Sequence, residues 1–493
     1  MQLSPKQISL VALASLLLGC LWDYLFNAKI PGISFVIYVS LLVGVFFWFS
    51  NYLKLSFSKP VSSSLKWLAV PIIFFSAMLA VRDSYFLAFW NIVATFGLLL
   101  IFVSQATGRN LRDYRLFDFF ITAIALPLKL LASSFRALGQ LLTVNKHLKD
   151  NQTASQIIKG VLITLPVLLF FLVLLSSADL VFGHLISNLF KWHLDFQSLS
   201  RLWWILAVAF IWFGTYVYMF TKSSPVSIPP SLKEASYRFG KIESSILLAT
   251  LNALFLIFVI IQIKYLFAGQ TAITSLGYTY AEYAHKGFAE LVVVAILSFG
   301  LIFGTEKYIE KKASSHYAIF KVLSGTLIVL LVIIMASAFT RLSLYEQAYG
   351  FTLLRLLVQS FIVWLSLIFL VLYYKVLKFL PEKFLAFWGF VLIIGFFVFW
   401  NILNPDAFIA RKNIQQFAAN NQLDTVYLSS LSTDAVPEIV KLLDMQGNTN
   451  KLGEDLAVTA VNILKSNVKY SPPWQSWNWS RSNATKIISQ KLK

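Results

Sequence analysis

One cysteine, Cys20, stands in 493 residues, so no disulfide forms within the chain and any water-exposed part folds without one. Charge is scarce too: Asp, Glu, Lys and Arg supply 13 % of the residues, against about 25 % in an ordinary soluble domain. Catalytic and cofactor signatures are missing. No HExxH spacing, phosphate-binding loop or nucleotide fingerprint interrupts the sequence, which excludes the enzyme classes that announce themselves in this way. There is no internal repeat and no low-complexity tract, so repeat architectures are excluded as well.

What the chain has instead is apolar length. Hydrophobic residues make up 58 %, gathered into eleven runs at 8–26, 33–49, 65–81, 85–103, 161–182, 202–220, 246–267, 287–303, 322–339, 356–373 and 384–400. A bilayer core of roughly 30 Å needs about 20 predominantly apolar residues per helix, so the expected fold is an all-α, polytopic bundle of about eleven transmembrane spans. A small helical domain follows. The expected divisions are 1–104, a four-span group; 105–160, an interfacial segment; 161–400, a seven-span group; and 401–493, the terminal domain. Leu17-Leu18-Gly19-Cys20 loosely resembles a lipoprotein cleavage site, but the apolar run continues through Phe26, which reads as an uncleaved first helix.

The net charge of +19 points to a membrane rather than to nucleic acid, because the basic residues sit between apolar runs and not on one folded face. On alternating sides, with span ends counted to the nearer side, one set of connections holds 23 Lys+Arg and the other 8, with 10 in the terminal domain. The positive-inside bias then predicts a cytoplasmic amino terminus and an extracytoplasmic carboxyl terminus. Within 105–160, Lys129, Ser133, Arg136 and Gln140 recur at helical spacing opposite Leu131, Phe135, Leu138 and Leu142. This predicts a helix in the interface with Lys129 and Arg136 toward anionic headgroups. The preceding run, 116–128, is too short to span. A proline-rich connection, with Pro225, Pro229 and Pro230, separates two helical groups.

After Trp400 the pattern shortens. Asn404-Pro405-Asp406 reads as an N-cap, a first-turn proline and an acid at the positive helix end. Further short helices are expected from Asp424, from Asp434 and near 454–464. Asp406 and Arg411 are candidates for a partner-binding interface. Trp474, Trp477 and Trp479 are candidates for a membrane-interface anchor.

The segment Tyr278-Thr279-Tyr280-Ala281-Glu282-Tyr283-Ala284-His285-Lys286-Gly287-Phe288-Ala289-Glu290-Leu291 is similar to a tyrosine-rich segment entering a membrane helix in a family of bacterial polytopic membrane proteins, the domain-of-unknown-function 4153/4173 group. Ser177-Ala178-Asp179, Ala348-Tyr349-Gly350-Phe351-Thr352 with Arg355, Asn404 to Arg411 and Leu431 to Pro437 resemble it too, over roughly residue 159 to the end. The resemblance implies architecture and bacterial origin and carries no catalytic residue.

Glu282, Lys286 and Glu290 recur at i, i+4 and i+8, so if the eighth helix extends outward past its apolar core they share one face, as an external ion-pair ladder or as a binding site. Glu290 enters a span, and intramembrane carboxylates are costly and functional by default. With Tyr280, Tyr283, Arg341 and Arg355 they form the candidate polar cluster, in which Arg355 reaches Glu290 or an anionic headgroup. A metal site is not expected; the weak alternative is His184, His193 and His285. No cofactor is expected. The expected partners are the bilayer, its anionic headgroups and an envelope protein bound through the terminal domain. The expected role is non-enzymatic partner binding or signalling from an outward-facing polar site. The alternative is a transporter or lipid-linked substrate handler, which a water-filled path through the middle of the membrane would favour.

Overall fold

The computed structural model describes residues 3–54, 59–143, 196–221, 241–267, 288–308, 314–420, 423–444 and 473–491, with isolated positions between 164 and 182. The described residues are helical and contain no strand. Their helices are α1 (Pro5–Phe26), α2 (Ile33–Tyr52), α3 (Lys59–Val81), α4 (Tyr85–Ala106), α5 (Leu116–Thr143), α6 (Phe196–Phe220), α7 (Lys241–Phe267), α8 (Phe288–Tyr308), α9 (Ser314–Tyr349), α10 (Leu353–Leu377), α11 (Glu382–Leu403), α12 (Pro405–Asn420), α13 (Thr425–Ser430), α14 (Val436–Ile439), α15 (Lys441–Asp444) and α16 (Trp479–Lys491). Ten described helices are long and apolar enough to cross a membrane. The chain is therefore a multi-pass integral membrane protein. The run at 161–182, the connection at 222–240 and the helix expected near 454–464 lie wholly or mostly outside the described residues.

Two compact units form. The first holds Met1–Asp113, Phe117–Ile228 and Tyr470–Asn483; the second holds Tyr114–Leu116, Pro229–Lys469 and Ala484–Lys493. The residues after Trp400 thus divide, with the α12–α15 helices in the second unit and the tryptophan-rich segment in the first.

In the first unit α1 starts with a capping box: Ser4 Oγ accepts from the Gln7 N–H and Gln7 Oε1 accepts from the Ser4 N–H. Its other end packs antiparallel on α6. Trp22 meets Trp204 at 5.7 Å, and Arg201 Nη2 lies 2.5 Å from Asp23 Oδ2. A Cβ on Gly19 would stand 2.4 Å from the Ile205 carbonyl oxygen, so only glycine lets these backbones approach this closely. The finishing ends of α2, α4 and α6 meet through Phe46 with Phe102 at 4.9 Å and Phe49 with Phe220 at 5.7 Å. Hence α4 finishes at the end opposite to that where α1 finishes, while α6 begins at the end where α1 finishes.

One element differs from expectation. The run 116–128 and the amphipathic stretch after it form a single helix, α5, and Leu116–Gly139 counts among those long and apolar enough to span. Pro127 lies inside it without ending it, as apolar surroundings and neighbouring helices allow. Ser133 and Ser134 turn inward, whereas Phe117, Phe120, Ile124 and Leu128 are exposed. The inward face is set by α6: Ser134 Oγ donates to the Phe210 carbonyl at 2.9 Å, over Gly214.

In the second unit α7 packs on α9, joined by Asn252 Nδ2 donating to the Leu323 carbonyl at 2.9 Å. Helices α9 and α10 are antiparallel, with Gln359 facing Ser343 at one end and the Tyr317 hydroxyl donating to the Val376 carbonyl at the other. Helix α8 runs parallel to α10, matching Phe299 to Phe369 and Glu306 to Lys375. After α11 the chain turns at Asn404, whose left-handed backbone (φ 53°) ends that helix. Its side-chain oxygen has no hydrogen-bond partner among the described residues, so the turn, not an Asn404 side-chain cap, starts α12. Asp424 caps α13 as expected by accepting from the Tyr427 N–H. Ser432, rather than Asp434, caps the next turn.

Candidate functional site

Two polar centres stand out in the second unit. The first lies where α9 passes into α10. Gly350 takes φ +80°, a conformation that suits glycine, and this folds Tyr349–Thr352 into a tight turn gripped by the terminal helices. Asn413 of α12 pairs with Phe351 in both directions: its Oδ1 accepts from the Phe351 N–H at 2.6 Å, and its Nδ2 donates to the Phe351 carbonyl at 2.9 Å. The Tyr427 hydroxyl of α13 accepts from the Leu353 N–H at 2.7 Å, and Gln416 Nε2 donates to the Glu346 carbonyl at 3.1 Å. Beneath the turn Arg355 donates to the Tyr349 and Gly350 carbonyls and stacks 4.3 Å from the Tyr345 ring centre. Gln359 Nε2 donates to Ser343 Oγ at 3.1 Å. Glu346 is 1 % exposed. Burial of Tyr427 raises its hydroxyl above the usual phenol range.

The second centre is an ion pair between membrane helices. Lys375 Nζ of α10 lies 2.5 Å from Glu306 Oε2 of α8, with the side chains 2 % and 3 % exposed. The Phe303 ring stands 5.6 Å from the ammonium. The sequence reading missed this pair because it drew those spans to 303 and 373, one turn short of where α8 and α10 finish.

Of the candidate polar cluster, Tyr280, Glu282, Tyr283 and Lys286 lie outside the described residues, as do His184, His193 and His285. Glu290 is exposed near the start of α8, and Arg341 sits on α9 three residues past the buried Ala338. By the α8–α10 and α9–α10 registers, Glu290, Arg341 and Gln359 fall at about one level. Arg355 is about a turn beyond and spends its guanidinium on the turn carbonyls, with no bond to Glu290 among the described residues. No three His, Cys, Asp or Glu residues group for a metal among the described residues.

Asp406 and Arg411 are engaged within the terminal helices. Asp406 Oδ2 accepts from Ser432 Oγ at 2.5 Å and from its N–H at 3.2 Å; Arg411 pairs with Glu438 at 2.9 Å, and Lys441 pairs with the same carboxylate. Burial disfavours the Glu438 charge, but Lys441 and Arg411 outweigh it and hold the group below the usual carboxylate range. A group depressed on folding contributes stability that is present above its unfolded value, about 4.3, and lost as pH falls through the folded value. Glu438→Gln should therefore narrow the gap between denaturation midpoints at pH 7 and pH 3.5. Because both cations are more than half exposed, the narrowing should be about 1 kcal/mol or less.

Trp474, Trp477 and Trp479 are 52 %, 43 % and 50 % exposed, on a segment bound at the end of the first unit where α1 finishes. The Trp477 carbonyl accepts from the Ile33 N–H at 2.9 Å, and Asn478 Nδ2 donates to the Leu79 and Arg82 carbonyls at 2.9 and 2.8 Å. Gly32 permits the contact, since a Cβ there would stand 2.4 Å from the Trp477 oxygen. Lys129 is half-buried and Arg136 exposed on α5.

No curated protein and no solved structure matches the chain. A family model described as a domain of unknown function, DUF4153, matches residues 69–442. The match begins well before the resemblance read from residue 159 and includes the α9–α10 turn with the helices that grip it. It stops before the tryptophan-rich segment. A match over most of the sequence makes this chain a member of the DUF4153 family.

Proposed function

We propose that the protein is a non-enzymatic component of a bacterial envelope, embedded in the cytoplasmic membrane, that binds an envelope partner or reports a signal through its terminal helices. The observation that carries this reading is the two-way pairing of Asn413 with Phe351, which couples α12 to the junction of two membrane helices. A partner held by α12–α13 bears directly on that junction. In the second unit the middle of the helices is filled by Leu327, Ile328, Leu331, Phe369 and Leu372, none more than 1 % exposed, which favours this reading over a polar transport route.

The amino terminus is cytoplasmic and the terminal helices are outside. The partition of basic residues supports this. Lys129 and Arg136 of α5 lie toward anionic headgroups on the cytoplasmic side, where the basic residues of 105–160 concentrate.

Val426 on α13 is 79 % exposed, beside the Tyr427 that grips the turn. A photocrosslinking residue at Val426 should give one discrete adduct in intact cells, and Asn413→Ala should weaken it. A smear of products, or none, would remove the partner-binding reading. The second reading, transport or handling of a lipid-linked substrate, draws on the buried Glu306–Lys375 pair. Flux of an ion or lipid in proteoliposomes that disappears in Lys375→Met would put it ahead.

A further inference from the structure

Between α8 and the α9–α10 pair lies a narrow crevice, partly open to the outside and lined throughout by apolar side chains. Leu291 and Ala295 of α8, Leu331 and Ala338 of α9, and Ile362 and Leu365 of α10 form its walls. Farther along, α8 is held to α10 by the Phe299–Phe369 contact and by the 2.5 Å Glu306–Lys375 pair. The three helices are therefore pinned at one end and gapped at the other.

We propose that this crevice is a binding site for one acyl chain of a bilayer phospholipid. Water is a poor occupant, because an apolar cavity offers no hydrogen-bond partners. The neighbouring surface of α8 is apolar as well, with Val293, Ile296 and Leu297 between 53 % and 67 % exposed, so the crevice opens onto a flank whose solvent is hydrocarbon. The walls extend from Leu331 to Ala338, about 10 Å at helical rise, which suits a stretch of extended chain rather than a compact solute. Just past that end the helix registers bring Glu290, Arg341 and Gln359 to one level. Charges of both signs there complement a phosphodiester headgroup bearing an amine, while the walls take its tail. The inference is independent of the partner-binding reading.

The test uses the full chain in lipid nanodiscs containing a phosphatidylethanolamine with a diazirine midway along one acyl chain. After photolysis, the crevice-lining positions of α8, α9 and α10 should carry severalfold more label than Phe399, a half-exposed position on α11. Ala338→Phe fills the crevice and should cut its labelling severalfold while leaving Phe399 unchanged. Leu297→Phe, which adds bulk outside the crevice, should change neither. If Ala338→Phe does not fold, the smaller Ala295→Val takes its place. Crevice labelling no denser than at Phe399 would overturn the proposal. So would labelling untouched by filling in a folded variant, or labelling by a diazirine fatty acid but not by the phospholipid.

Discussion

Lys375→Met alone should destabilise the detergent-solubilised protein by about 3–5 kcal/mol, and the double variant Lys375→Met with Glu306→Leu by clearly less than the two single changes together. The reason is solvation. Both side chains are at most 3 % exposed, between helices whose outer surroundings are lipid, so a carboxylate that loses this ammonium keeps its desolvation cost without the attraction that offsets it. Removing both charges removes both costs. Thermal or denaturant unfolding of the wild type, the two singles and the double gives the coupling directly. Strict additivity would mean that the pair is solvated in the membrane-embedded protein and does not hold α8 to α10.

The second large effect concerns close approach of helices in the first unit. Gly214→Ala should cost about 1–3 kcal/mol, the usual range for overpacking, because the new Cβ would stand 1.8 Å from Ser134 Oγ and 2.6 Å from the Leu130 carbonyl oxygen. Ser134 can change rotamer, but the carbonyl belongs to α5 itself, so α5 must move off α6. Gly19→Ala meets the Ile205 carbonyl at 2.4 Å and should cost a similar amount at the α1–α6 contact. Gly97→Ala is the control, since nothing lies within 4 Å of a Cβ there; with a better helix former in place of glycine it should be neutral or slightly stabilising. Equal effects at all three positions would show that helix propensity, not packing, governs these sites.

The spans were legible in the sequence because a bilayer imposes one length and one polarity on every crossing. The Asp424 cap was legible for a similar reason: one side chain serving its own helix leaves a local pattern. What stayed hidden depends on contacts between distant residues. Glu306 and Lys375 sit at the ends of their apolar runs, where charge reads as a water-exposed boundary, and only the packing of α8 on α10 buries them. Asp23 lies inside the first apolar run and should have demanded a partner, but nothing local identifies Arg201, 178 positions away. The continuity of α5 was missed because Pro127 reads as a breaker when its neighbours are unknown. Asn413 looks like an ordinary polar residue on α12 until the fold brings Phe351 to it. Arg355, read as a partner for Glu290, is instead captured by carbonyls five and six positions back in its own chain, a competition that residue spacing alone did not reveal.

The orientation is the claim on which the outward-facing reading rests, and the first unit allows a test within itself. The tryptophan-rich segment sits at the end where α1 finishes, and Asn110 follows α4 at the opposite end. In the full-length chain carrying Cys20→Ser, single cysteines at Trp474 and at Asn110 can be exposed to a membrane-impermeant maleimide, with the outer envelope permeabilised and the cytoplasmic membrane intact. The expected result is that Trp474→Cys reacts at once and Asn110→Cys reacts only after the cytoplasmic membrane is broken. The reverse order would place the tryptophan-rich segment in the cytoplasm and contradict the account.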